Sequence, residues 1–247
     1  MSDFRPEELL IDTLAGMLAG LRHVAVGAAS PIPGAAALLA RARDPGLRVS
    51  ILGSERHNPF TDGGRELFDC AAQGRIDAFF LGGGQIDGSA DINLVGVGGY
   101  PQSRVRWPGS FGSAYLYFLV PRVILFREEH TARVLVPKVE FVSAPGASAP
   151  EVDRPGGSYA LVTGRCVFRF DPERRRFRLA SLHPGHTADE VAEHTGFEYD
   201  APAEVPVTPS PSAETLALIR GRIGAEIAET YPAFAARMLG VSAARAC

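Results

Sequence analysis

The feature that narrows the fold most is an alternation. Short, mostly apolar runs of strand length at residues 23–26, 47–52 and 76–81 are separated by segments with helical spacing at 34–43 and 65–73. A short run that is apolar at most positions, without strict alternation, suits a strand buried on both faces, and strands joined through helices run parallel. The expected class is therefore α/β, a parallel-rich sheet with helices on both faces. Leu9, Leu10, Leu14, Met17, Leu18 and Leu21 recur at helical spacing and place a further helix over residues 6–21, ahead of the first strand. Later strands are expected at 123–126, 134–142, 159–162, 167–170 and 177–182, with a long loop over 143–157. Helices are expected at 187–196 and 213–222, joined by a proline-rich connector over 202–211. No linker interrupts the pattern, so residues 1–247 are read as a single domain.

Composition removes several classes of function. With 46% hydrophobic and 21% charged residues, the chain can bury a core, which excludes disordered and fibrous proteins. A net charge of −3 provides no broad basic face, so no nucleic-acid partner is expected. The uncharged stretch 23–40 is as long as a membrane span, but Gly27, Pro31, Pro33 and Gly34 interrupt it, and no membrane association is expected. The N-terminal MSDFRPEELL has no basic run ahead of an apolar one, so no signal peptide and a cytoplasmic location are expected. Cys70, Cys166 and Cys247 are odd in number and contain no CxxC pair, which predicts reduced thiols.

Common catalytic signatures fail letter by letter. Gly82-Gly83-Gly84-Gln85-Ile86-Asp87 has Asp at the last glycine of a dinucleotide fingerprint, and no phosphate-binding GxxxxGK[ST] or esterase GxSxG is present. His183, His186 and His194 cluster in sequence, but Pro184-Gly185 forces a turn and no carboxylate completes a familiar metal spacing; no metal is expected. Cys70 falls on an expected helix and reads as core packing.

What remains is a block holding nine glycines between Gly82 and Gly112, directly after a buried strand. Such density means unusual backbone angles or close approach to a partner, at the carboxyl edge of a sheet where α/β proteins bind ligands. Its order is specific: Gly82-Gly83-Gly84-Gln85-Ile86-Asp87, Asp91-Ile92-Asn93, Gly99-Tyr100-Pro101, then Arg106-Trp107-Pro108-Gly109-Ser110-Phe111-Gly112. This series resembles the beta subunit of family I, glutaconate-type coenzyme A transferases. Val139-Glu140-Phe141-Val142-Ser143-Ala144-Pro145-Gly146, Ser181-Leu182-His183-Pro184-Gly185 and Thr195-Gly196-Phe197 carry the resemblance through most of the chain.

The resemblance implies a coenzyme A transferase-like (NagB/RpiA-like) three-layer domain, an alpha-subunit partner in a heterodimer or heterotetramer, and an acyl-CoA thioester as substrate in catabolism, with no bound cofactor. It implies that Gly82 supplies an oxyanion-stabilising N–H, and that Gly83, Gly84, Gln85, Asn93, Gly109, Ser110, Phe111 and Gly112 line the substrate and coenzyme A arm, Phe111 replacing a glycine. The family's nucleophilic glutamate ends the second strand, where this sequence reads Ile51-Leu52-Gly53-Ser54-Glu55, so that Leu52 stands in its place. Leucine cannot attack a thioester. Either Glu55 serves instead, or transfer has been lost while thioester binding was kept, as in relatives of this superfamily that hydrolyse a C–C bond or decarboxylate an acyl-CoA. A third reading is a non-catalytic subunit completing the alpha subunit's site. For Glu55, Arg56 and His57 a solvated loop and a catalytic or substrate-contacting role both stand.

Overall fold

The computed structural model of the chain describes residues 4–239. In chain order its elements are α1 (Pro6–Gly16), β1 (His23–Val26), α2 (Pro31–Arg43), β2 (Arg48–Ile51), α3 (Gly63–Ala72), β3 (Ala78–Leu81), β4 (Gln85–Ile86), β5 (Ile92–Asn93), β6 (Gly96–Val97), β7 (Val105–Arg106) and α4 (Ser113–Leu119). There follow β8 (Arg122–Arg127), β9 (Ser158–Thr163), β10 (Cys166–Asp171), β11 (Arg176–Leu182), α5 (Ala188–His194), α6 (Ala213–Leu218), α7 (Gly224–Ala228) and α8 (Pro232–Phe234). Two π-helical stretches, Ile219–Ile223 and Ala235–Leu239, continue α6 and α8.

The described residues divide into two compact units. The first takes those up to Thr61, Ile76–Ala78 and those from Pro209 onward; the second takes Asp62–Arg75 and Phe79–Thr208.

In the first unit β1 and β2 pair in parallel, His23 opposite Arg48 through Val26 opposite Ile51. All four residues of β1 are buried. The carboxylate of Asp77 accepts from the main-chain N–H of Arg22 at 2.6 Å and of His23 at 2.9 Å, tying the entry of β1 to the chain that leads into β3. Helix α2 begins three residues before the expected start, because Pro31 and Pro33 lie in its first turn, where a missing N–H costs nothing. Its alanines Ala35, Ala36 and Ala37 are fully buried. The tail is longer than expected: α6 continues through the π stretch into α7, and Gly34 of α2 lies so close to Ile227 that a Cβ there would stand 3.0 Å from its Cδ1. Glu8 of α1, 1% exposed, receives both nitrogens of an Arg220 fork at 2.6 and 2.9 Å. Burial alone would raise the Glu8 carboxyl; the Arg220 bonds and charge hold it below its ordinary value.

In the second unit the strand order is β11-β10-β9-β8-β3. Strands β8 and β9 are parallel, whereas β9, β10 and β11 form antiparallel pairs. The connections Gly164-Arg165 and residues 172–175 are too short for a crossover, so these strands return as hairpins and the sheet is mixed. Phe168, Phe177 and Phe197 pack with ring centroids 5.5–6.0 Å apart and form an aromatic core. The strand expected at 134–142 is absent. Pro137 has no N–H, and the segment instead makes a single bridge, Leu135 with Ile86, followed two residues beyond its end by another, Ala144 with Ile92. The N–H groups of Val134 and Leu135 turn back to Thr131 O, and two further on go to side chains: Val139 N–H donates to Asp87 at 3.1 Å and Glu140 N–H to Gln85 at 3.1 Å. Helix α4 is hidden in the sequence by the glycines before it. Cys70 and Cys166 are free and buried; Cys247 lies outside the described residues. Among the described residues no helix is long and apolar enough to cross a membrane.

Candidate functional site

The first candidate region is the loop that leaves β2, within the first unit. Leu52 N–H still reaches Val26 O at 2.9 Å, and the chain then turns at Gly53, whose φ of +87° favours glycine. The loop closes on itself where Ile51 N–H donates to His57 O at 2.8 Å. Ser54, 4% exposed, accepts from the N–H of Arg56 and of His57 at 3.2 and 2.9 Å and donates its hydroxyl to Glu229 at 2.8 Å. The N–H of Glu55 donates to the other Glu229 oxygen at 2.7 Å. Glu55 and Arg56 are exposed. His57 is partly buried; Arg41 donates to its Nδ1 at 3.3 Å, so its proton sits on Nε2, which faces Glu226 at 3.7 Å. Burial, then the Arg41 charge, lower the His57 pKa against the opposing carboxylates, and the ring is neutral near pH 7. Sequence reasoning misses Glu229, which lies 175 positions from Ser54 with no local motif around it.

The second region is the glycine block, within the second unit. Gly82 follows β3 and is exposed; a Cβ there would meet only Phe126 O, at an ordinary 3.4 Å. Gly83 and Gly84 are packed otherwise. A Cβ on Gly83 would lie 2.8 Å from Gln85 O and 2.9 Å from Ile86 and Ile92, and one on Gly84 would overlap the ring of Trp107. Those two glycines make room for the protein's own chain.

Gln85 and Asn93, 5% and 0% exposed, face each other across the β4–β5 ribbon, and Asn93 donates to Gln85 at 2.8 Å and to Gly96 O at 2.8 Å. Gln85 donates in turn to Glu140 at 3.0 Å, and Glu140 accepts from Gly98 N–H at 2.7 Å. That network sets the glycine turns in place, with both amide side chains engaged by protein groups. Asp87 accepts from the N–H of Ser89, Asp91 and Val139, yet burial still pushes its carboxyl above the ordinary range.

Gly109 has φ +106° and is exposed. Ser110 O accepts the Ser113 N–H at 2.7 Å and its hydroxyl at 2.6 Å, closing the turn into α4 at Gly112, φ +63°. Phe111 is 83% exposed, its ring 5.6 Å from that of Phe68 and directly over Gly64.

The histidines of the second unit are structural. His183, 3% exposed, accepts the Thr208 hydroxyl at 2.9 Å and donates to Thr163 O at 3.0 Å. His186 pairs with Glu190 at 2.9 Å. Among the described residues no group of three or more His, Cys, Asp or Glu is placed to hold a metal ion.

The sequence profile of the coenzyme A transferase family matches residues 22–194. A 3-oxoadipate CoA-transferase chain of Pseudomonas knackmussii is 31% identical over 154 residues, covering 60% of this chain and 58% of that protein. The IpdB component of the cholesterol ring-cleaving hydrolase of Rhodococcus jostii is 32% identical over 173 residues, covering 63% and 62%. This chain thus matches about three-fifths of the length of these curated relatives. The crystal structure of the decarboxylase AibA/AibB superposes with a TM-score of 0.77 at 25% identity, over 97% of this chain and 100% of that one. The fold is that of these enzymes, and the match takes in both candidate loops and more than half of the sequence: this chain belongs to the coenzyme A transferase family.

Proposed function

We propose that this chain is the beta-type subunit of a heteromeric enzyme that acts on an acyl-CoA thioester in cytoplasmic catabolism, and that the enzyme forms no glutamyl thioester on it. The observation that carries this reading is Leu52, which stands directly after β2 where the resemblance requires a nucleophilic carboxylate. A hydrocarbon side chain can neither take the acyl group nor hold coenzyme A. Two chemistries remain. The exposed main chain at Gly82 supplies an N–H suited to negative charge developing on a thioester oxygen. The exposed carboxylate of Glu55 supplies a proton acceptor or a substrate anchor. These fit hydrolysis of a C–C bond or decarboxylation better than transfer, in keeping with the reactions named for two of the relatives, a ring-cleaving hydrolase and a decarboxylase.

The test is coexpression with an alpha-type partner, size exclusion, and intact-mass analysis after incubation with a panel of acyl-CoA thioesters with and without hydroxylamine. The expected result is a heteromer with turnover and no adduct on this chain. A coenzyme A adduct mapped to Glu55 restores the plain transferase reading. A monodisperse monomer with full activity removes the partner.

A further inference from the structure

Glu229 stands immediately after α7, and its carboxylate accepts three hydrogen bonds: from the Ser54 hydroxyl at 2.8 Å, the Glu55 N–H at 2.7 Å and the Thr230 hydroxyl at 2.7 Å. Ser54 passes the anchor onward, because its oxygen accepts the N–H of Arg56 and of His57. Every main-chain N–H from residue 55 to 57 is therefore tied to Glu229 directly or through one hydroxyl. Glu226, one helical turn earlier on the same face, holds Arg41 at 2.7 Å, and Arg41 in turn donates to the His57 ring. Burial alone would raise the Glu229 carboxyl, but the hydrogen bonds from Thr230, the Glu55 N–H and Ser54 hold it below the ordinary value, so it is an anion at neutral pH.

A loop that begins at a glycine with φ +87° and carries exposed charged residues has little apolar burial to fix it. Here one carboxylate does so, from a tail segment outside the residues that match the family. We propose that Glu229 is a positioning residue: by anchoring the loop through Ser54 and the Glu55 N–H it sets where the Glu55 carboxylate stands beyond β2. The inference rests on the reading of Glu55 given above. Glu229 acts through Glu55, since its own oxygens are already engaged by Ser54, Glu55 and Thr230.

The experiment uses the complete heteromer with Glu229→Ala, Glu229→Gln, Glu55→Gln and the Glu55→Gln/Glu229→Ala double variant. Amide hydrogen exchange, kcat and KM are measured on each. The expected result for Glu229→Ala is exchange at residues 55–57 faster by about tenfold or more, unchanged exchange in β1 and β2, and a lower kcat. Glu229→Gln, which keeps one acceptor oxygen, recovers part of that kcat. The double variant turns over no more slowly than Glu55→Gln alone, because a residue acting through another adds no independent loss. Unchanged exchange at 55–57, exchange that rises equally in β1 and β2, or losses that add in the double variant would overturn the proposal. Glu55→Gln at the unaltered rate would overturn the reading of Glu55 and with it the catalytic part of this inference. That outcome is recognised from the single variant, whatever the exchange shows.

Discussion

The six-membered ring of Trp107 occupies the space in which any side chain on Gly84 would begin, whereas the corresponding space beside Gly82 is bounded only by Phe126 O at 3.4 Å. Three consecutive glycines therefore have different reasons to be glycine. Gly84→Ala forces the indole out of its seat and is expected to cost about 1–3 kcal/mol, the usual penalty of overpacking, with a melting temperature lower by several degrees. Trp107→Ala in the same chain should restore part of it. Gly82→Ala is expected to fold with an unchanged melting temperature, and Gly82→Val to weaken acyl-CoA turnover in the heteromer without comparable unfolding. Thermal melts beside turnover decide the matter; equal destabilisation at residues 82 and 84 would mean that both glycines serve packing.

The parts of the fold that are legible in the sequence are those set by local pattern. Strands β1, β2 and β3 announce themselves as apolar runs, and the glycine block identifies the family before any geometry is known. The expected strand over 134–142 shows the limit of such reading. Its Val, Phe and Val residues fit a strand, but the N–H groups of Val139 and Glu140 are taken by Asp87 and Gln85, side chains about fifty positions away that no periodicity reveals. Gln85 and Asn93 are legible as important and opaque as to why: the family motif marks them, while only the ribbon shows that they bond to each other. Glu229 is invisible for the same reason as the Asp87 contacts, since one carboxylate just after α7 carries no signal until the chain has folded. The antiparallel return of β9 to β11 is readable in principle from the shortness of the connections at 164–165 and 172–175.

Two buried histidines make a prediction about acid. Burial pushes the His130 pKa down to about 4 and the His183 pKa likewise to about 4, and each ring is held by threonine hydroxyls and, for His183, a carbonyl. In the unfolded chain both titrate near 6.5, so below that pH the unfolded state binds more protons than the native one. Stability is therefore full above about pH 6.5 and is lost as pH falls toward 4, by roughly 3 kcal/mol per histidine over the whole window. Urea unfolding between pH 7 and 4.5 should show this slope, and His130→Gln with His183→Gln should flatten it, whatever stability they lose at pH 7. An unaltered slope in the double variant would mean that other groups control acid unfolding.

The last prediction concerns the residue that directly follows the second strand. Leu52 keeps the strand's main-chain bond to Val26, so its position is fixed by the sheet, while Glu55 is carried on the loop beyond it. If Glu55 takes a proton or anchors the substrate, Glu55→Gln is expected to lower kcat by about 10²–10⁴-fold, the range of acid–base contributions, with the fold intact. Leu52→Glu places a carboxylate directly after the strand, on the residue still bonded to Val26. In the heteromer this variant is expected to gain a hydroxylamine-sensitive adduct with acyl-CoA, because a carboxylate held rigidly at the strand end is the nucleophile that the transfer reaction requires and that leucine removes. The adduct is read by intact mass and peptide mapping. An adduct on Leu52→Glu but not on the unaltered chain places the loss of transfer in that one side chain. Absence of an adduct in both, with Glu55→Gln inert, leaves this chain as the non-catalytic half of a site whose reacting groups belong to the alpha-type subunit.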